Sequence, residues 1–147
     1  MAKQTNYFEI KIDKTENQNI MIGILNNSVD IKASEHNWIG NMKDTYSFYC
    51  FDGRKYNSKV RYNAYGEECV TKDLVGVWVD VFEKKIYFFR NGKCMGIACE
   101  NLPLDQYESW YFAVSLCDKE CSVTVQDVAK PPPVVLAALQ QQSNDAK

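Results

Sequence analysis

The feature that most constrains this chain is the stretch over residues 74–99, LVGVWVDVFEKKIYFFRNGKCMGIAC. Three apolar runs, rich in β-branched and aromatic residues, are separated by turn chemistry: first the polar Phe82-Glu83-Lys84-Lys85, then Asn91-Gly92. Asn and Gly both tolerate positive φ, and Asn-Gly between two apolar runs is the strongest short hairpin signal. The spacing predicts a three-stranded meander with no room for a helix. A meander buries one face, so a second sheet must cover it. In the first of these strands Val77, Val79 and Val81 share one side and Gly76, Trp78 and Asp80 the other. Asp80 argues for solvent on that second side and Trp78 argues for cover, so the pattern leaves the buried face open.

The rest of the chain repeats the same grammar. Phe8, Ile10 and Ile12 alternate with Glu9 and Lys11, the period of a half-buried strand. Residues 20–25, IMIGIL, read as a more fully buried strand, and residues 45–51 as a third, carrying Tyr46, Phe48 and Tyr49 and turned by Asp52-Gly53. Tyr56, Val60 and Tyr62 have strand-compatible spacing, and Tyr65-Gly66-Glu67 reads as a turn. A last pair, residues 110–116 and 121–125, is joined by residues 117–120. No amphipathic helix of useful length precedes residue 130. The expected fold is therefore all-β, a two-sheet antiparallel β-sandwich. Lys130-Pro131-Pro132-Pro133 cannot continue a sheet and predicts extended, polyproline-like chain. The expected organisation is an extension over residues 1–6, a domain over 7–128 and a Pro/Gln-rich tail over 129–147. The tail reads either as frayed chain or as a peptide that docks on a partner, or back on the domain, through Val134, Val135, Leu136 and Leu139.

Composition narrows the function classes. The 147 residues, 46% hydrophobic, are enough for a core without metal or disulfide staples. A net charge of −2 supplies no basic field for nucleic acid or anionic lipid. The apolar runs stop short of a membrane span, and MAKQTNYFEIK lacks a signal-peptide core. The expected place is inside the cell, the cytoplasm ahead of the nucleus, and the six cysteines are then expected as reduced thiols. The one histidine, His36, lies in the polar run Ser34-Glu35-His36-Asn37 and reads as a surface residue. No GxSxG, HExxH or glycine-rich phosphate loop occurs. No catalytic residue, cofactor or metal site is expected. Cys94 and Cys99 are five apart and point to opposite faces of a regular strand. Cys117 and Cys121 flank a three-residue loop, where facing thiols would permit a disulfide or half a zinc site. The expectation for both remains a reduced thiol.

The order of these pieces resembles a SPRY domain, an antiparallel sandwich of the concanavalin-like jelly-roll type. Tyr7-Phe8-Glu9-Ile10 resembles the family's opening YFEV strand, and Ile22-Gly23-Ile24 the strand that follows. Tyr46-Ser47-Phe48-Tyr49 with Asp52-Gly53 is similar to the SYGY…DG segment, and Tyr65-Gly66-Glu67 to YGE. Leu74-Val75-Gly76 with Val79-Asp80-Val81, the hairpin Arg90-Asn91-Gly92-Lys93, Met95-Gly96-Ile97-Ala98 and Ala113-Val114-Ser115-Leu116 resemble the later motifs in order. Phe48 stands where the family has glycine, and Phe112 where it has proline before AVSL. No separate PRY segment fits ahead of Tyr7, and no adaptor box is evident after the domain.

The resemblance implies a non-enzymatic protein-interaction module, an adaptor or subunit of a larger assembly, that binds a partner protein or short peptide through loops at one end of the sandwich. The corresponding loops are residues 25–30, 61–65 and 116–119, which offer Asn26, Asn27, Arg61, Tyr62, Tyr65, Cys117 and Asp118. On that reading Tyr62 and Tyr65 are anchors, Asn26 and Asn27 read a peptide backbone, and Asp118 selects a basic or amide group. The competing reading is that Tyr62 and Tyr65 merely cover the sandwich edge. Arg54 and Arg61 would suit acidic side chains of a partner. A second function class is a carbohydrate- or small-ligand-binding sandwich, since two-sheet folds also host lectins.

Overall fold

The computed structural model describes residues 6–32, 37–126 and 131–145. Among these residues ten strands form: β1 (Tyr7–Lys14), β2 (Ile20–Asn26), β3 (Tyr46–Tyr49), β4 (Lys55–Asn57), β5 (Val60–Tyr62), β6 (Leu74–Asp80), β7 (Lys85–Arg90), β8 (Lys93–Cys99), β9 (Trp110–Leu116) and β10 (Ser122–Val125). They make two five-stranded antiparallel sheets, one in the order β10-β1-β6-β7-β8 and one in the order β5-β4-β3-β2-β9. This is the sandwich that the alternating pattern requires. Its core lies between the sheets, where Ile10, Ile12, Ile20, Ile22, Ile24, Phe48, Val75, Val77, Val79, Ile86 and Phe88 are each no more than 2% exposed.

Turn chemistry sets the hairpins. Asn91 and Gly92 both have positive φ, 49° and 82°, as a tight two-residue connection of β7 to β8 requires. The Asn91 side chain pins the turn: its Oδ1 accepts from the Leu74 amide at 2.8 Å and its Nδ2 donates to Asp73 Oδ1 at 3.0 Å. The segment after residue 37 lies on the outer face of the second sheet. There the Ile39 amide donates to Ser115 Oγ at 3.2 Å, Ser47 Oγ donates to the Ile39 carbonyl at 2.6 Å, and Trp38 meets Tyr56 edge-on. His36 lies outside the described residues.

The face left open in β6 resolves in favour of the valines, yet Trp78 on the other side is also buried, at 4% exposed. The cover is a helix, α1 (Pro133–Asp145). Val135 is fully buried against Trp78 and Phe89, with Tyr7, Tyr87, Cys94, Ala138 and Leu139 around it. Both faces of β6 are thus covered, the second by an element from the end of the chain. The frayed-tail reading is overturned. Proline fits the first turn of a helix, where its missing amide hydrogen has no partner to lose, so Pro133 opens α1 rather than prolonging extended chain. Helical geometry also changes the contact set. Val135, Ala138 and Leu139 share one side at i, i+3 and i+4, while Val134 and Leu136 face out.

Candidate functional site

Strand register decides which loops can act together. In the β2–β9 ladder Ile20 lies opposite Leu116 and Asn26 opposite Trp110. Residues 26–30 therefore leave the sheet at its Trp110 end and residues 116–119 at its Ile20 end. At about 3.3 Å per residue, a strand of this length separates the two ends by roughly 20 Å. Tyr62 lies opposite Lys55, Lys55 opposite Phe48, and Phe48 opposite Ile22, so residues 61–65 run toward the Ile20 end. The expectation that all three loops share one end is thereby corrected: two do, and the loop with Asn26 and Asn27 does not. Antiparallel neighbours deliver their C-terminal loops to opposite ends, which motif order alone does not reveal.

The individual side chains sort in the same way. Asn26 is fully buried. Its Nδ2 donates to the Asp44 carbonyl at 3.0 Å, and its Oδ1 accepts from the Ser28 amide at 2.9 Å and from Ser28 Oγ. It holds its own loop and does not face outward as a reader of peptide backbone. Asn27 is exposed, with its Oδ1 accepting from the Ser109 amide at 3.2 Å. Tyr65 is not a free anchor either. Its hydroxyl donates to the Gly96 carbonyl at 2.7 Å and accepts from the Phe88 amide at 3.3 Å, and its ring meets Phe48 and Phe88 edge-on. Burial pushes that hydroxyl far above its ordinary pKa. The edge-covering reading holds for Tyr65, which clamps one sheet to the other.

Tyr62 is 45% exposed. The Lys55 ammonium sits 4.9 Å from its ring centroid and 5.2 Å from that of Tyr65, and donates to the Ala98 carbonyl. Burial lowers the Lys55 pKa. Tyr62, Lys55 and Ala98, with Ile97 and Glu100, line a shallow groove between the β5 and β8 edges.

A denser arrangement lies on the outer face of the second sheet at its Ile20 end. Tyr49 donates its hydroxyl proton to Asn19 Oδ1 at 3.0 Å, and Asn19 Nδ2 donates to the Cys117 carbonyl at 3.4 Å. Asn17 Nδ2 donates to Asp118 Oδ2 at 3.2 Å. The Arg54 guanidinium stands 5.4 Å from the Tyr49 ring centroid. Its Nε donates to both Asp52 oxygens, at 2.9 and 2.8 Å, and its Nη1 reaches the Tyr56 hydroxyl at 3.4 Å. Burial alone would raise the Asp52 carboxyl. The bonds from Arg54 outweigh it and hold the group below the usual carboxylate range. Phe51, 48% exposed, packs its ring against Tyr49 at 5.8 Å. Arg61 lies opposite Tyr56 and is exposed, so it flanks the same face.

Of the predicted residues, Arg61, Cys117 and Asp118 therefore border one surface. Tyr49, Phe51 and Asn19 complete it, and none of these three stood among the candidates. The available signal was the run Tyr49-Cys50-Phe51-Asp52-Gly53-Arg54, where aromatic, acidic and guanidinium groups crowd a turn. Its proximity to residue 117 follows only from the β2–β9 register. Chemically, the surface offers an aromatic platform with a guanidinium held in place by a carboxylate, plus amide groups.

The six cysteines are free thiols; Cys50, Cys69 and Cys121 are buried and Cys117 is exposed. Cys121 Sγ lies 3.4 Å from Thr15 Oγ1 and 4.0 Å from the Asn19 carbonyl oxygen, both in the connection between β1 and β2. Among the described residues, no cluster of three or more His, Cys, Asp or Glu side chains is placed to hold a metal ion. Among them, too, no helix is long and apolar enough to cross a membrane.

The sequence profile of the SPRY domain matches residues 5–130. The chain is 26% identical over 102 residues to SPRY domain-containing protein 3 of Homo sapiens, covering 65% of this chain and 22% of that protein. It is 28% identical over 102 residues to Ran-binding protein 9 of Xenopus laevis, covering 69% of this chain and 18% of that one. It is also 26% identical over 123 residues to the dual specificity protein kinase splA of Dictyostelium discoideum, covering 80% of this chain and 5% of the kinase. The chain thus spans about a fifth or less of the length of these relatives. Among solved structures, a human SPRY domain superposes with a TM-score of 0.71 at 20% identity, covering 86% of this chain and 78% of that one. The SPRY domain of human HERC1 does so with a TM-score of 0.67 at 14% identity, covering 85% and 76%.

Proposed function

The chain belongs to the SPRY domain family, whose members generally act in protein–protein interaction, and from that premise we propose that it binds a partner protein through the platform of Tyr49, Phe51 and Arg54. The observation that carries the reading is convergence. Segments around residues 17–19, 49–54 and 117–118, far apart in sequence, are tied together there by the Tyr49–Asn19–Cys117 bonds. Such a platform on a rigid sheet end is a physically sound place for recognition. Tyr49 and Phe51 supply aromatic area at low entropy cost. Arg54 and Arg61 suit a carboxylate of the partner, and Asp118 a basic or amide group. The fitting ligand is a short extended or turned peptide, and the role is that of a non-enzymatic adaptor or complex subunit inside the cell.

The test is a Phe51→Ala, Arg54→Ala double variant, compared with the parent in pull-downs from the native source followed by mass spectrometry. Hot-spot residues commonly cost about 2 kcal/mol or more on truncation. The variant should lose partners that the parent retains while its melting temperature changes little. Lys84→Ala is the control. Lys84 pairs with Asp105 in the connection between β6 and β7, in the other sheet, and its loss should leave binding intact. A folded double variant that still retains every partner would place the interface elsewhere.

A further inference from the structure

The second covered face of the sandwich has features of a ligand site. On the outer side of the first sheet, Tyr7 lies across Gly76, where an added Cβ would come within 2.2 Å of the Tyr7 hydroxyl oxygen. Tyr7 donates to Glu9 Oε2 at 2.7 Å and meets Phe89 edge-on at 5.6 Å. Trp78 stacks on Tyr87 at 4.8 Å. These contacts run between sheet residues.

The occupant is α1. Its buried residues form a cluster with Trp78 and Phe89 that is separate from the core between the sheets. Val135 is fully buried, aided by Ala138 and Leu139. The helix sequence PVVLAALQQQSND has no charged residue before Asp145, so its fit rests on apolar shape. A helix of this length is marginal on its own and depends on docking.

We propose that the Tyr7–Trp78–Tyr87–Phe89 face is a helix-acceptor site, which α1 fills in cis and which, when vacated, takes an amphipathic helix from a partner protein. The seated helix defines the chemistry of that partner. It presents a β-branched aliphatic residue, a small residue three positions on and leucine four positions on, on an otherwise uncharged face. The small residue lets the helix backbone approach the aromatic floor. A cis occupant lowers the apparent affinity for any competitor by the fraction of chains in which the seat is empty. The partner therefore binds strongly only where α1 is displaced or weakened.

The experiment uses the full chain and a fluorescent synthetic peptide of residues 131–145, read by anisotropy. Val135→Asp should expel α1, and that chain should bind the peptide at least tenfold more tightly than the parent does. Adding Trp78→Ala should abolish the gain, and a peptide that itself carries Val135→Asp should not bind. The Phe51→Ala, Arg54→Ala variant should take up the peptide as the parent does, which separates this site from the platform on the other sheet. A cooperatively melting Val135→Asp chain that binds no better than the parent would overturn the proposal. Loss of cooperative melting in Val135→Asp would overturn it as well, by making α1 an integral part of the fold. Dimers of the parent that disappear in Val135→Asp would replace the partner helix by a second copy of this chain.

Discussion

Asp73 sits where a turn and two strands meet. Its Oδ2 accepts from the Val70 amide at 2.8 Å and from Arg90 Nε at 3.0 Å, and its Oδ1 accepts from Asn91 Nδ2 at 3.0 Å. Burial works to raise this carboxyl, but the bonds from Val70, Asn91 and Arg90 prevail and hold it below the ordinary range. A depressed folded pKa means that the stabilisation is present above the unfolded value of ~3.9 and is lost as pH falls through the folded value. Asp73→Asn should therefore cost roughly 1.5–3 kcal/mol at neutral pH. It should also flatten the loss of stability below about pH 4, and thermal melts from pH 7 down to 2 check both effects. Gly92 tests backbone geometry alone, because no atom lies within 4 Å of an added Cβ and only its φ of 82° resists a side chain. Gly92→Val should cost about 1 kcal/mol or more. A melt equal to the parent's would contradict the turn geometry.

At the scale of elements, β6 has two buried faces made by different means. Its valine side packs between the sheets, so Val79→Ala should cost on the order of 1–3 kcal/mol, measured by denaturant unfolding. A cost near zero would mean that the valine side does not pack as core. Most strands were legible because their signals are local: alternation in Phe8–Ile12 and turn chemistry at Asn91-Gly92. The helix α1 was not. Its apolar run follows three prolines, includes two β-branched residues and shows little polar contrast, and its seat exists only once β1, β6 and β7 lie side by side. The candidate site was legible in part, for a related reason. Tyr65 reads as a loop residue because its neighbours spell a turn, yet its hydroxyl bonds Gly96, 31 positions on. Asn26 reads as a surface amide because it ends a strand, yet Asp44 and Ser28 bond both polar atoms of its buried side chain. Tyr49 and Phe51 passed as ordinary strand aromatics because only the pairing of β2 with β9 brings Asn19 and Cys117 beside them.

The whole molecule is closed by its last two strands. β1 lies between β6 and β10, and β2 between β3 and β9, so each early strand gains one of its two neighbours only after residue 109. Phe8 of β1 stacks on Phe112 of β9 at 5.2 Å, which ties the two sheets together at the same step. A chain ended at residue 109 would leave β1 and β2 as open edges and uncover the isoleucines that they turn inward. Unpaired edges and exposed apolar surface favour association over folding. Such a chain should show no cooperative thermal transition and should bind a hydrophobic dye strongly. A chain ended at residue 126 keeps all ten described strands and loses α1. It should retain a single cooperative transition, shifted down by several degrees, because the uncovered aromatic face lies outside the inter-sheet core. Parallel melts and dye titrations of the two truncations separate these roles. If the chain ended at 109 melts cooperatively, the pairing of β9 and β10 is not what completes the sandwich; if the chain ended at 126 does not, the helix belongs to the core rather than resting upon it.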